Sequence, residues 1–76
     1  MKIEATQEKV SSAMDKIRDA GGTVSGNDSG GIVCIKGVEA RFAFDPYIGE
    51  LTITIIDKPW LVSESFVEDE IRKFFS

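Results

Sequence analysis

Few residues in this chain could carry chemistry, because it contains one cysteine, Cys34, and no histidine. Histidine usually orients and deprotonates a serine or cysteine nucleophile near neutral pH, so Ser/His/Asp and Cys/His mechanisms are excluded. One cysteine without histidine also leaves no ligand set for a structural zinc ion and no internal disulfide. Because Cys34 lies in the apolar run of residues 32–35, we expect a buried and unreactive thiol.

Carboxylates are the remaining candidates for acid–base catalysis. Glu39, Asp45 and Glu50 flank one predicted hairpin. A carboxylate pair works as acid and base only where an enclosed cleft shifts one pKa, and a sheet of three to four strands encloses little. We interpret these residues as solvated surface acids, and we predict a protein that is not an enzyme and uses no cofactor.

The segment of residues 26–31, GNDSGG, raises the possibility of a phosphate-binding loop or a calcium loop. Phosphate loops lead from a strand into a helix N-terminus, whereas this segment joins two strand-like runs. A calcium loop needs alternating oxygen ligands and a later glutamate, and Asn27, Asp28 and Ser29 only begin that pattern. A hairpin connection fits these residue types better, so we predict no metal site here.

Composition limits the classes of function that need to be considered. The chain has 76 residues, 42% of them hydrophobic, and a net charge of −4, which is typical of one folded domain over residues 1–76. The acidic balance disfavours DNA and RNA, whose binding depends on Lys and Arg neutralising phosphates. Because there is no run of 18 apolar residues and no apolar signal region, we expect no membrane span and a reducing, cytoplasmic location.

The first helix is predicted over residues 6–20. Its apolar residues recur at the helical spacing of i, i+3, i+4 and i+7, at Val10, Ala13, Met14 and Ile17. Thr6 is a candidate N-cap, and the pair Gly21 and Gly22 supplies the left-handed residue that ends a helix. One side of this helix therefore faces a core.

Alternating apolar residues predict strands over residues 38–45 and 51–56, with shorter strands near residues 2–5 and 32–36. Pro59 cannot donate to a strand ladder, so the last strand should end near Lys58. A second amphipathic helix follows, capped by Ser63 or Ser65, with its apolar face formed by Val67, Ile71 and Phe74.

The order β-α-β-β-β-α predicts an α+β fold. An antiparallel β-meander of three to four strands should carry two amphipathic helices packed on one face. The opposite face is left to solvent or to a partner, and we place there Glu39, Arg41, Thr52 and Thr54.

Trp60, the single tryptophan, follows a strand-ending proline and allows two interpretations. It can close the end of the core together with Leu61, because tryptophan is highly buried on average. The other interpretation is an exposed patch that Trp60 forms with Tyr47 and Ile48 at the ends of elements, where aromatic anchors dominate interfaces.

The C-terminal half, residues 37–75, resembles the small bacterial polyhydroxyalkanoic acid system proteins. The shared pattern consists of a strand ending at Ile55 and Ile56, a Lys58-Pro59 link, and a final helix containing residues 70–73. The resemblance concerns the order of elements, implies a bacterial type of protein and assigns no functional residue.

We therefore expect a non-enzymatic, cytoplasmic domain that binds another protein or a second copy of itself. The candidate interaction patch consists of Tyr47, Ile48, Trp60 and Leu61. The alternative is a binder of an apolar small molecule or polymer surface between the helices and the sheet. It is suggested by five phenylalanines, which could equally well fill a core: Phe42, Phe44, Phe66, Phe74 and Phe75.

Overall fold

A computed structural model describes residues 1–27 and 29–75. Within them the chain order is β1 (Lys2–Glu4), α1 (Gln7–Asp19), β2 (Thr23–Asn27), β3 (Gly30–Ile35), β4 (Val38–Asp45), β5 (Glu50–Asp57) and α2 (Glu64–Lys73). The five strands of this described part form one antiparallel sheet in the order β1-β5-β4-β3-β2. The predicted α+β fold is confirmed, and the structure adds β2 to the predicted strands.

Both helices begin at a capping hydroxyl. The Thr6 hydroxyl accepts a hydrogen bond from the Lys9 N–H at 3.2 Å, and the Ser63 hydroxyl accepts one from the Phe66 N–H at 3.2 Å. Such bonds satisfy N–H groups that have no partner within the helix. Helix α1 is followed at Gly21 by a φ of 94°, which a residue with a side chain rarely adopts. The predicted first helix is confirmed, and Ser63 is the cap of the second.

The sequence pattern places Gly26 and Asn27 in a turn segment, because both residue types favour turns, whereas in the structure they belong to strand β2. Gly26 has a φ of 106° although it lies within the strand. The Asn27 side-chain carbonyl accepts hydrogen bonds from the N–H groups of Ser29 and Gly30, at 2.8 and 3.3 Å. These bonds make residues 26–31 part of a hairpin, as predicted, while Asp28 lies outside the described residues. Pairing with β3 extends the strand through Asn27.

The core lies between the two helices and one face of the sheet. It combines residues from α1, from α2 and from the inward positions of β3, β4 and β5 in a single cluster. The largest side chains that are fully buried are Phe42, Leu51 and Val10. Val67 and Ile71 of α2 belong to the same cluster, so both helices pack on the same sheet face, as the alternation along β4 and β5 predicts.

Neither of the two described helices lies on the other sheet face. Arg41 pairs with Thr54 across β4 and β5, and both side chains are exposed, as predicted. Cys34 belongs to this face, since it lies opposite Thr23 on one side and Glu39 on the other. The prediction of a buried thiol is wrong, because β3 alternates and it is Val33 that turns inward.

Replacing Phe42 by alanine should remove a large part of the stability of the fold. Phe42 is 2% exposed, whereas Phe66 is 55% exposed and provides a matched control. We expect Phe42→Ala to lower the free energy of unfolding by about 3–5 kcal/mol, because it opens a cavity in the core. Phe66→Ala should cost much less. Urea denaturation measures the free energy of unfolding of both variants. Equal decreases in the two variants would contradict the placement of Phe42 in the core and of Phe66 outside it.

Candidate functional site

The segment between β5 and α2 projects two large apolar side chains into solvent. Its turn is closed by a hydrogen bond from the Val62 N–H to the Pro59 carbonyl at 3.0 Å. Trp60 and Leu61 lie at the tip of this turn and are 86% and 78% exposed. Val62, in contrast, packs against the core. The interpretation of Trp60 as a core residue is therefore wrong, because Val62 occupies the inward position of the segment.

Two contacts hold this turn in place. The Lys58 Nζ donates to the Val62 carbonyl at 2.7 Å, which spans the turn from one end to the other. Pro59 lies beside the turn between β3 and β4, since a Cβ atom added to Gly37 would be 3.4 Å from the Pro59 Cγ. These contacts fix the path of the chain across the end of the sheet. Along this path the Trp60 side chain points away from the sheet and into solvent.

An apolar groove opens beside this turn, between α2 and the end of the sheet. Its volume is about 190 Å³. Apolar side chains from β3, β4, the turn and α2 form most of its lining, including Ile35, Val38, Pro59, Val62, Phe66 and Phe74. Lys36 and Glu70 add one charge of each sign. We name Trp60, Leu61, Phe66 and this groove the Trp60 surface.

Tyr47 and Ile48 lie at the other end of the sheet, in the turn between β4 and β5. They are 96% and 68% exposed. The Asp45 carboxylate accepts a hydrogen bond from the Tyr47 N–H at 2.9 Å and shapes this turn. Strand β5 has eight residues and separates this turn from Trp60, a distance of roughly 25 Å. The structure therefore exposes all four predicted patch residues but divides them into two separate pairs.

Two residues that shape this site are absent from the predicted patch, Phe66 in the Trp60 surface and Lys58 in the turn beside it. Phe66 directly precedes Val67, which begins the buried stripe of α2, so helical periodicity alone could have placed Phe66 outside the core. Lys58 forms its hydrogen bond to a backbone carbonyl four residues away. No sequence pattern indicates that contact, because it depends on the course of the turn.

The three acidic residues considered for catalysis, Glu39, Asp45 and Glu50, do not come together into one cleft. Asp45 lies opposite Glu50 beside the β4–β5 turn, and Glu39 lies near the opposite end of β4. In the described ranges, no group of three or more His, Cys, Asp or Glu side chains could hold a metal ion. None of the helices described is long and apolar enough to cross a membrane.

Comparison with known proteins assigns no relative to this chain. No family model matches it, and neither a curated protein nor a solved structure does. The resemblance of residues 37–75 to polyhydroxyalkanoic acid system proteins therefore stays a prediction.

Fluorescence of Trp60 reports directly on this surface, since the chain has no other tryptophan. We expect an emission maximum close to that of the urea-unfolded chain and quenching by acrylamide with nearly the same efficiency. Acrylamide is suitable because it is neutral, whereas the protein carries a net charge of −4. A blue-shifted and protected emission from a dilute sample would contradict the exposed position of Trp60.

Proposed function

We propose that this chain is a non-enzymatic protein-interaction module that binds a protein partner through the Trp60 surface. The supporting observation is that Trp60 is 86% exposed beside an apolar groove. A domain of this size buries only roughly 60% of the surface of its unfolded chain, so each large apolar residue matters to folding. Because Trp60 is exposed, its burial does not contribute to the free energy of folding. A partner that covers Trp60 would gain the free energy of burying it.

The shape and chemistry of the Trp60 surface suit a protein partner. Trp60 and Leu61 project, while the groove beside them is concave, so the surface offers both an anchor and a pocket. Interfaces derive most of their binding energy from a few buried aromatic anchors, and charged residues stay at the rim. Lys36 and Glu70 can serve as such a rim, because each offers a charge at the border of apolar side chains.

A reducing, cytoplasmic setting in a bacterium fits this proposal. The free thiol of Cys34 is exposed on the open sheet face. Exposed free thiols are oxidised or form mixed disulfides in an oxidising compartment, whereas the cytosol keeps them reduced. The bacterial assignment rests on the pattern shared with the polyhydroxyalkanoic acid system proteins.

Binding of an apolar small molecule or polymer surface is the second candidate. The cavity between the helices and the sheet measures only about 20 Å³, which is close to the space needed for one water molecule. The outer groove, at about 190 Å³, is also below the roughly 300–1,000 Å³ typical of ligand pockets. An apolar ligand would therefore have to lie across Trp60 and Phe66, as an extended polymer surface does.

The two exposed pairs provide a matched test of the proposed function. Trp60→Ala with Leu61→Ala removes the proposed anchor, and Tyr47→Ala with Ile48→Ala removes equally exposed apolar residues at the other end of the sheet. We expect a partner captured from bacterial lysate, identified and then purified, to bind the wild type and the Tyr47/Ile48 variant. The Trp60/Leu61 variant should lose at least tenfold in affinity.

Circular dichroism and urea denaturation establish that both double variants are folded. Equal binding by the Trp60/Leu61 variant and the wild type would contradict the proposal, as would loss of binding only in the Tyr47/Ile48 variant. If the wild type binds apolar polymer particles instead of a purified protein, and the Trp60/Leu61 variant does not, the second candidate replaces the first.

A further inference from the structure

The two edges of the sheet differ in their protection against pairing with another strand. Edge strand β1 has three residues, and two of them, Lys2 and Glu4, are charged. Short length and charge are both features that prevent an edge from pairing with another chain. Edge strand β2 has five residues, Thr23–Asn27, and includes neither a charged residue nor a proline. The β2 edge is thus the one whose sequence permits pairing.

The hydrogen bonding of β3 determines which way the backbone of β2 points. The Phe44 N–H donates to the Ser29 carbonyl at 2.8 Å, and Gly31 lies opposite Phe42 two residues further along. In an antiparallel ladder the backbone N–H and C=O groups of successive residues point to opposite sides of the strand. Those of Gly31 therefore bond to β4, and those of Ile32 point toward β2.

Val24 therefore presents its backbone to the open edge. Its neighbour Ser25 lies opposite Ile32 and directs its N–H and C=O toward β3. By the same alternation, the Val24 N–H and C=O point away from the sheet. Its side chain is half-buried, on the sheet face that carries the helices.

Helix α1 leaves space beside this edge. A depression of about 390 Å³ lies between α1 and β2, and its lining includes Met14 and Arg18 from the helix and Val24 and Gly26 from the strand. Arg18 already forms an ion pair with Asp15 on its own helix, at 3.3 Å. Because the Arg18 guanidinium is already paired, it does not present an unpaired charge to a strand that approaches this edge.

We propose that β2 pairs in antiparallel orientation with β2 of a second copy of this chain, about a two-fold axis at Val24. The two Val24 residues would then exchange both of their backbone hydrogen bonds, and the two sheets would become continuous. Thr23 and Ser25 would face each other across the axis, so no like charges meet there. An uncharged strand is therefore a suitable antiparallel partner for itself.

This self-association uses a different part of the molecule from the Trp60 surface and does not depend on the proposed function. Each copy carries a net charge of −4, so the two copies repel each other at low ionic strength. Salt screens that repulsion, with a Debye length of about 10 Å at 0.1 M. Added salt should therefore strengthen the dimer.

The substitution Val24→Pro tests the inference, because it removes one backbone N–H donor that points away from the sheet. Val24→Pro deletes an N–H that the β2–β3 ladder does not use, and proline is tolerated at such edge positions. Val24→Ala keeps the N–H and serves as the control for the lost side chain. In sedimentation equilibrium we expect a monomer–dimer equilibrium for the wild type and Val24→Ala, and a monomer for Val24→Pro. Trp60→Ala should dimerise like the wild type.

A wild type that stays monomeric up to its solubility limit would overturn the inference. So would a dimer that survives Val24→Pro in a folded protein, or one that Trp60→Ala abolishes. If the protein stays monomeric and binds an unrelated extended peptide at the β2 edge, the proposal that a second copy pairs there is contradicted.

A distance measurement keeps the inference testable if Val24→Pro does not fold. Cys34 is the only cysteine and is exposed, so a nitroxide label can be attached to the wild-type chain. Strand spacings of about 4.8 Å put the two Cys34 Cα atoms roughly 16 Å apart in the proposed dimer. Strong dipolar coupling is expected, and a distance between labels above about 30 Å would overturn the inference.

Discussion

The structure depends on one constraint, which is that both described helices cover the same face of the sheet and leave the other face open. Strands β4 and β5 place Phe42, Leu51 and Ile53 on the same face, and both helices pack there. On the opposite face Arg41 and Thr54 are exposed. The open face and the exposed thiol of Cys34 follow from this arrangement.

The exposure of Trp60 follows from how the chain passes from the sheet to the second helix. Strand β5 ends at Asp57, and α2 starts after its cap, Ser63, so a short segment has to cross the end of the sheet. Val62 packs inward there, and Lys58 holds the turn closed through a 2.7 Å hydrogen bond. Trp60 has no inward position left, and the same turn forms one wall of the groove. Local chain geometry therefore creates the surface that we propose as the binding site.

Sequence patterns predict the regular elements well and their relative positions less well. Helix α1 and the alternating strands β4 and β5 were predicted because periodicity and caps are local signals. The extent of β2 is not predicted, since Gly26 and Asn27 favour turns and only pairing with β3 makes them part of a strand. An apolar run such as residues 32–35 does not tell which residues face inward, and for that reason the sequence predicts a core position for Cys34 although the residue is exposed. The predicted patch combines two pairs of residues that β5 separates. Local sequence can indicate that a residue is exposed, whereas the distance between two exposed residues depends on the whole fold.

The reactivity of the Cys34 thiol tests the one-sided sheet most directly. The chain has no second cysteine, so the rate of modification by an aromatic disulfide reagent reports on one position of the open face. We predict that the folded protein reacts at a rate within a few-fold of the urea-unfolded chain, both below and above the concentration at which it associates. A thiol that reacts only after unfolding would contradict this structure, because Cys34 would then face the core and the inward and outward positions of β3 would be reversed.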